Sequence, residues 1–573
     1  MSSKILKEVQ SFNKTSQANS WRTYLRMLRV VERTNTAPRL AEIIGYFEAG
    51  DIASGYAVAE QLESQKYTTP AEHFAAAQVC NLIKKYPFPE RLNPFDPEGV
   101  ARAKFEESEI SCSHFNQALT LPQGDFEDVL HKMRSFIRYV LGDAPNLAQV
   151  YEGCMFGPGA SIDVNGNATN LARKFLAASW SVSSSAFEYA RSALMQLPLA
   201  WEILIPKRGG RYYTHSPEVF GEYFRKRARV VNYNKIAFVP KTAKTHRSIA
   251  VEPLLNTFLQ KGVDTWMRNR LKRVGIDLSD QSINSRYALY GSTGESADPF
   301  CTIDLSSASD SISIELVRNL LPYEWFRFLD SIRSRSYQDA SGEIRCYHKF
   351  CSMGNGFCFP LETLIFAACC TASGAGVPKT DFLVYGDDIV VRRSSAEAVL
   401  RNLSRIGFTP NPKKTFIEGP FRESCGRDWF AGEDVRPFVL DFALDSLQSH
   451  FKFLNLTLRN SRTSWFFEQA RDFIKKLLPV NLRFSRPSSG SVDGGYQVEL
   501  DEFMSSKHAV FSRKQHIWTW RELVFRPMPD KGIRGKEGYD TVVMIAALLG
   551  SASSNPFTVR RKTRTRVAVV CNS

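Results

Sequence analysis

Residues 381–391, Asp-Phe-Leu-Val-Tyr-Gly-Asp-Asp-Ile-Val-Val, place two adjacent carboxylates between short apolar runs. The pattern predicts two strands joined by a tight turn, with Gly386 supplying backbone freedom and Asp387 and Asp388 at the tip. Adjacent carboxylates repel, and holding them between apolar strands is costly unless a cation neutralises them. A divalent metal is therefore their natural partner. A water-exposed turn is the plainer alternative, because Gly-Asp is common turn chemistry.

A second acidic segment favours the metal. Residues 300–304, Phe-Cys-Thr-Ile-Asp, predict a buried strand ending in a carboxylate. Residues 306–310, Ser-Ser-Ala-Ser-Asp, predict the start of a helix running through Ile314 and Leu320. Asp304, Asp387 and Asp388 on neighbouring strands suit two Mg2+ ions about 4 Å apart, with Mn2+ as a substitute. Such a pair activates an attacking 3′-hydroxyl and neutralises leaving pyrophosphate, which is the requirement of nucleotidyl transfer.

Between the two segments lies Ser-Met-Gly-Asn-Gly at 352–356, leading into an apolar helix over 361–371. Its glycines, Gly354 among them, permit close backbone approach, and Ser352 and Asn355 offer polar contacts. With Asp310, Asn355 is suited to hold a ribose 2′-hydroxyl. A simple helix-entry loop is the alternative.

Cations surround this acidic set in the sequence. Pro-Lys-Thr-Ala-Lys-Thr-His-Arg at 240–247 sets Lys241, Lys244 and Arg247 at three-residue spacing, fit to clamp a triphosphate; a solvated basic turn explains it equally. A helix predicted over 396–406 stops at Gly407 and is followed by Asn-Pro-Lys-Lys-Thr at 411–415. There Lys413 or Lys414 can neutralise or protonate pyrophosphate, or be an ordinary solvated pair. From 206 to 273 further Lys and Arg residues, among them Lys207, Arg208 and Arg211, interleave with Tyr212, Tyr213, Tyr223 and Tyr233. Such mixing suits a groove that tracks a nucleic-acid strand. Lys plus Arg at 74 against Asp plus Glu at 59, a net +15, favours a polyanionic partner without choosing nucleic acid over membrane.

The remaining sequence sets bounds. At 573 residues the chain exceeds one hydrophobic core and predicts two to four subdomains around a shared cleft. It lacks any apolar run of about 18 residues or a secretory h-region, which predicts a soluble protein with no membrane contact. Its 11 cysteines are scattered, which fits a reducing cytoplasm. The first 150 residues carry no chemical motif, though 71–84 and 126–141 read as helices. The basic run at 560–566 reads as a disordered electrostatic arm.

In order and spacing, the basic roof, Asp strand, Gly-Asn loop, Tyr-Gly-Asp-Asp hairpin and Lys pair resemble the fingers and palm motifs of viral RNA-directed RNA polymerases. They are most similar to the replicase catalytic subunit of the single-stranded RNA bacteriophages, the leviviruses. Residues 275–284 (Gly-Ile-Asp-Leu-Ser-Asp-Gln-Ser-Ile-Asn), 304–312 (Asp-Leu-Ser-Ser-Ala-Ser-Asp-Ser-Ile), 352–356 and 421–426 (Phe-Arg-Glu-Ser-Cys-Gly) carry the similarity. It is dense from Val239 to Phe438 and thin from Gly153 to Phe238.

The resemblance implies an α+β right hand whose palm is an antiparallel sheet flanked by helices. Its division is an N-terminal accessory or fingers region over 1–150 with partner contacts, fingers over 151–295, palm over 296–440, and thumb with the basic tail over 441–573. It implies Asp304, Asp387 and Asp388 as Mg2+ ligands, Lys241, Lys244 and Arg247 on the triphosphate, and Asp310 and Asn355 on the ribose. One departure is that Asp310 stands six residues after Asp304, where many viral polymerases have five. It also implies template RNA and ribonucleoside triphosphates as substrates, initiation without a protein primer, and the bacterial host's cytoplasm. The implied partners are host elongation factors Tu and Ts and a ribosomal small-subunit protein. A reverse transcriptase shares the Asp-Asp hairpin, but Gly386, Asp310 and Asn355 favour the RNA polymerase. A non-catalytic RNA-binding protein explains the charge but not three carboxylates on paired strands.

Overall fold

The computed structural model describes residues 2–120, 124–166, 169–205, 216–487, 492–505, 509–529, 540 and 558–571. Of the basic belt, Lys207, Arg208, Arg211, Tyr212 and Tyr213 lie outside the described residues. Within them the chain is mixed α and β.

The acidic hairpin forms as its alternation of apolar run, turn and apolar run requires. Phe382–Tyr385 and Asp388–Arg392 pair antiparallel, and Phe300–Ile303 adds to the other side of Asp388–Arg392, making a three-stranded antiparallel sheet. The central strand is buried through Ile389, Val390 and Val391. Against this sheet packs the helix Cys358–Ala372, apolar on every side and buried at nearly every position, as a helix enclosed on all faces must be. It begins three residues before the predicted Leu361. Arg393–Arg405 follows the hairpin and ends before Gly407, whose φ is +93°.

A second sheet sets the basic segment. Asn234–Pro240 and His246–Val251 pair antiparallel and present residues 241–245 as their connecting loop, while Ser336–Gln338 and Ile344–Cys346 extend the sheet.

The apolar side chains gather into two main clusters that do not follow chain order. One runs from Leu119 to Phe408 and includes the helix beneath the hairpin. The other joins the N-terminal helices, up to Phe88, with residues between Phe430 and Leu523. The predicted helices over 71–84 and 126–141 appear as Pro70–Ile83 and Glu127–Leu141. The first starts on a reciprocal cap between Thr69 and Glu72 with Pro70 at its first position.

Two expectations need correction. The helix predicted from Ser306 through Leu320 is broken: Ala308–Ser311 is a single 3-10 turn, and Ile314–Leu320 starts anew on a Ser313 cap. Tertiary pairing overrides helical spacing here, because the carbonyl of fully buried Ile312 accepts from Phe350 N at 2.7 Å. The basic run 560–566 belongs to a strand, Thr558–Cys571, paired antiparallel with Ile517–Pro529. Thr and Val alternate with other residues from Thr563 to Val569, and β-branched residues favour a strand once a partner ladder exists. No helix among the described residues is long and apolar enough to cross a membrane.

Candidate active site

Tyr385 pairs with Asp388 across a turn made of Gly386 and Asp387. Gly386 adopts φ +61°, and a Cβ there would lie 2.3 Å from the Phe359 ring. Its N–H donates to Thr363 Oγ1 at 3.0 Å. Phe359 stands edge-on to Tyr385 with ring centres 5.2 Å apart and lies beneath the Arg268 guanidinium, also at 5.2 Å. The acidic tip is thus clamped to the start of the buried helix.

Ile389 pairs with Ile303, so one further step of the antiparallel register sets Asp304 opposite Asp388. Side chains so placed share a face, with Cβ atoms about 5 Å apart. On the other edge of Asp304's strand, Phe416 pairs with Thr302. That pairing carries the 411–415 segment alongside. Asn411 donates from Nδ2 to Asp304 Oδ1 at 2.9 Å, and Lys414 Nζ lies 3.6 Å from Asp304 Oδ2 and 3.8 Å from Glu423 Oε1. Lys413 is exposed and directs only its backbone N–H inward, to Asn411. Of the two predicted lysines, the fold brings Lys414 to the carboxylates.

The charge is not fully compensated. Burial, and then Asp387, Glu423 and Asp304, push the Asp388 carboxyl up to about 6, against a backbone hydrogen bond from Cys425. Burial also raises Asp304, opposed by Lys414 and Asn411 and reinforced by Asp387. Burial pulls Lys414 down, but Glu423, Asp304 and Asp388 outweigh it and raise the lysine overall. Hard oxygen donors with surplus negative charge fit Mg2+ chemically. Among the described residues no group of three or more His, Cys, Asp or Glu side chains is already gathered to hold a metal ion.

Cations face the same space. Burial, then Arg247 and Lys414, lower Lys241, while Asp304 acts the other way. Lys244 turns away: it pairs with Glu60 at 3.0 Å on the N-terminal helices. Lys85, absent from any sequence motif, is lowered by burial and then by Arg436, with Arg247 and Lys414 adding to it. Its neighbour Lys84 accepts from Ala243 N at 3.0 Å through its carbonyl, which ties the N-terminal region to the basic loop.

Asp310 and the Gly-Asn loop are held by partners of their own. Asp310 Oδ1 accepts from Lys349 Nζ at 2.8 Å and Oδ2 from Ser248 at 3.4 Å. Asn355 is buried, and its Oδ1 accepts from Phe357 N at 3.0 Å. Ser352, also buried, is grouped with Asn355 and Lys349. Gly354, at φ +109°, lies so close to the next sheet that a Cβ would meet the Ala250 carbonyl at 2.3 Å. Met353 O accepts from Ala250 N at 2.8 Å, docking the loop on the strand that bears Arg247.

Sequence reasoning missed Asn411, Glu423, Glu362, Lys85 and Lys349. Asn411 and Glu423 lie inside distinctive runs, 411–415 and 421–426, and a search of those runs for polar partners of Asp304 could have found them. Glu362 is buried in an apolar helix, accepts from Ser309 Oγ at 2.8 Å, and is pushed up to about 8 by burial and then by Asp387. Glu362, Lys85 and Lys349 carry no local signal.

The family model for RNA replicase, beta-chain, matches residues 48–511. The chain belongs to that family. Replicase relatives include the RNA-directed RNA polymerase subunit beta of Enterobacteria phage SP, 35% identical over 413 residues, which is 70% of this chain and 67% of that one. The subunit beta of Escherichia virus Qbeta is 34% identical over 414 residues, 70% of this chain and 65% of that one. The beta chain of Escherichia phage MS2 is 46% identical over 228 residues, 40% of this chain and 41% of that one. This replicase chain therefore aligns with about two thirds of the first two relatives' lengths. Among solved structures, a BmCPV RNA-dependent RNA polymerase at elongation state aligns with TM-score 0.37 and 11% identity, covering 60% of this chain and 33% of that one.

Proposed function

We propose that this chain is an RNA-directed RNA polymerase, the catalytic beta subunit of a phage replicase. In this reading it copies a single-stranded RNA genome from ribonucleoside triphosphates in the cytoplasm of the bacterial host. The observation that carries the reading is the register that sets Asp304 opposite Asp388 with Asp387 in the adjoining turn. Asp304, Asp387 and Asp388 are the residues that hold Mg2+, which when bound supplies charge neutralisation for an attacking 3′-hydroxyl and for leaving pyrophosphate. Asn411 orients Asp304. Lys241 and Arg247 draw the triphosphate by charge, and Lys414, at the edge of the carboxylates, meets the departing pyrophosphate and holds a proton for it. Asp310 and Asn355 accept and donate at the ribose 2′-hydroxyl, and Gly354 lets the loop lie close enough for this.

The sheet of Asp304 and Asp388 is the palm in this reading, over 296–440, with fingers over 151–295 and thumb over 441–573. The family resemblance supports host elongation factors Tu and Ts and a ribosomal small-subunit protein as partners. The test is Mg2+-dependent incorporation of labelled ATP, GTP, CTP and UTP on an RNA template, beside their deoxy counterparts. Asp388→Ala abolishes incorporation; an unchanged rate in that variant removes the catalytic assignment. Preference for deoxynucleotides in the parent chain would instead mark a reverse transcriptase.

A further inference from the structure

Lys349 has no solvent exposure, yet it carries a charge that is costly to bury unless paired. Its Nζ lies 2.8 Å from Asp310 Oδ1, 3.5 Å from Glu109 Oε1 and 3.7 Å from the centre of the Phe105 ring. Phe105 and Glu109 are four residues apart on one face of the helix Pro97–Ala118. An N-terminal helix without any chemical motif therefore builds the back wall of Asp310.

The backbone around the lysine is fixed as firmly as its side chain. His348 N donates to Glu109 Oε2 at 2.7 Å, and His348 O accepts from Asn116 Nδ2, on the same helix, at 2.8 Å. Lys349 itself pairs with Ser313, just past Asp310. Lys349 is also grouped with Ser352 and Asn355 in the packing around it. It thus neighbours both residues read above as ribose contacts.

One ammonium between two carboxylates leaves one negative charge, and that remainder decides what the group can do. Asp310 spends one oxygen on Lys349 and receives only the long 3.4 Å contact from Ser248 on the other. Glu109 shares the ammonium, so Asp310 is not neutralised. We propose that Lys349, shared with Glu109, is a positioning residue for ribose discrimination, fixing the Asp310 carboxylate so that its free acceptor capacity meets the 2′-hydroxyl of the incoming nucleotide. The inference rests on the polymerase reading. Without Lys349 the buried Glu109 carboxylate and the half-buried Asp310 carboxylate lose the cation they share, and their repulsion turns Asp310 out of place. Without the Glu109 charge, Lys349 belongs to Asp310 alone and weakens it as an acceptor.

The experiment compares kcat/KM for ATP with that for dATP on an RNA template, using the full-length chain supplemented with host extract. Lys349→Met lowers the ATP-to-dATP ratio about tenfold, as expected for losing a charge-assisted hydrogen bond, and does so through the KM for ATP. Lys349→Arg recovers part of the ratio. Glu109→Gln keeps an acceptor for His348 N and moves the ratio in the same direction, which covers the case in which the Met variant does not fold. A lysine that only supports the fold would reduce use of both nucleotides in proportion. An unchanged ratio in folded Lys349→Met or Glu109→Gln overturns the proposal. Asp310→Asn separates the two levels. If it lowers the ratio while the other two do not, only the positioning role falls; if it too leaves the ratio unchanged, the ribose role of Asp310 fails and the positioning role with it.

Discussion

Asn411 holds Asp304 at two points: its side-chain amide donates to Oδ1 at 2.9 Å, and its backbone N–H donates to the Asp304 carbonyl, also at 2.9 Å. The segment after Gly407 is thereby locked to the strand end that presents the carboxylate. Replacing this neutral donor frees a half-buried carboxylate to rotate. Asn411→Ala slows single-turnover incorporation by about tenfold to a hundredfold, the loss expected for a hydrogen bond to a charged group. Asn411→Asp is worse, because it adds a like charge beside Asp304. Equal rates in the parent and Asn411→Ala would show that Asp304 keeps its orientation unaided.

Lys414 and Lys413 are adjacent in sequence and unequal in place. Lys414 Nζ stands 3.6 Å from Asp304, whereas Lys413 is tied in through its backbone N–H, which donates to Asn411. Lys414→Ala lowers kcat by about a hundredfold to ten-thousandfold, the usual range for a positioned proton donor, and Lys413→Ala lowers it less. Steady-state kinetics of the two variants decide the order, and a reversed order assigns the pyrophosphate to Lys413.

Gly386→Ala meets two obstacles, a positive φ and the Phe359 ring at 2.3 Å from the new Cβ. The left-handed backbone costs about 1–2 kcal/mol and the overpacking about 1–3 kcal/mol. Both melting temperature and incorporation fall. Adding Phe359→Leu, which removes the ring, recovers part of each. If the double variant is no better than Gly386→Ala, backbone geometry rather than the ring is the constraint.

His73 links the N-terminal helices to the hairpin beside the site, lying 4.2 Å from the Phe421 ring and 5.5 Å from Phe430 between ring centres. Burial lowers it from 6.5 to about 4. The neutral form is the one that fits. Above pH 6.5 both folded and unfolded chains are neutral there and its contribution is complete. Between 6.5 and about 4 the unfolded chain gains a proton that the folded chain refuses, and stability falls by an amount on the order of 2 kcal/mol. Thermal unfolding across that range shows a steeper acid loss in the parent than in His73→Phe, and parallel curves remove the linkage.

Local sequence was enough for what depends on near neighbours. An apolar run, Gly-Asp and a second apolar run can hardly avoid a hairpin, so the neighbourhood of Asp387 and Asp388 was legible, as were the capped helix at Pro70 and the stop at Gly407. Helical spacing misled from Ser306 to Leu320, because Ile312 takes its hydrogen bond from Phe350, far along the chain. The strand at Thr558–Cys571 was hidden for the same reason, since its ladder lies on Ile517–Pro529.

By itself the sequence determined which segments bear carboxylates, cations and close-approach glycines, since these are properties of residue type and short-range spacing. Only the tertiary structure decided which of them meet: Lys414 over Lys413 at Asp304, Lys244 with Glu60, and Lys349 between Asp310 and Glu109. Electrostatic partnership depends on distances and burial created when remote strands and helices pack, and a charge in a sequence carries no record of which opposite charge it will be buried against.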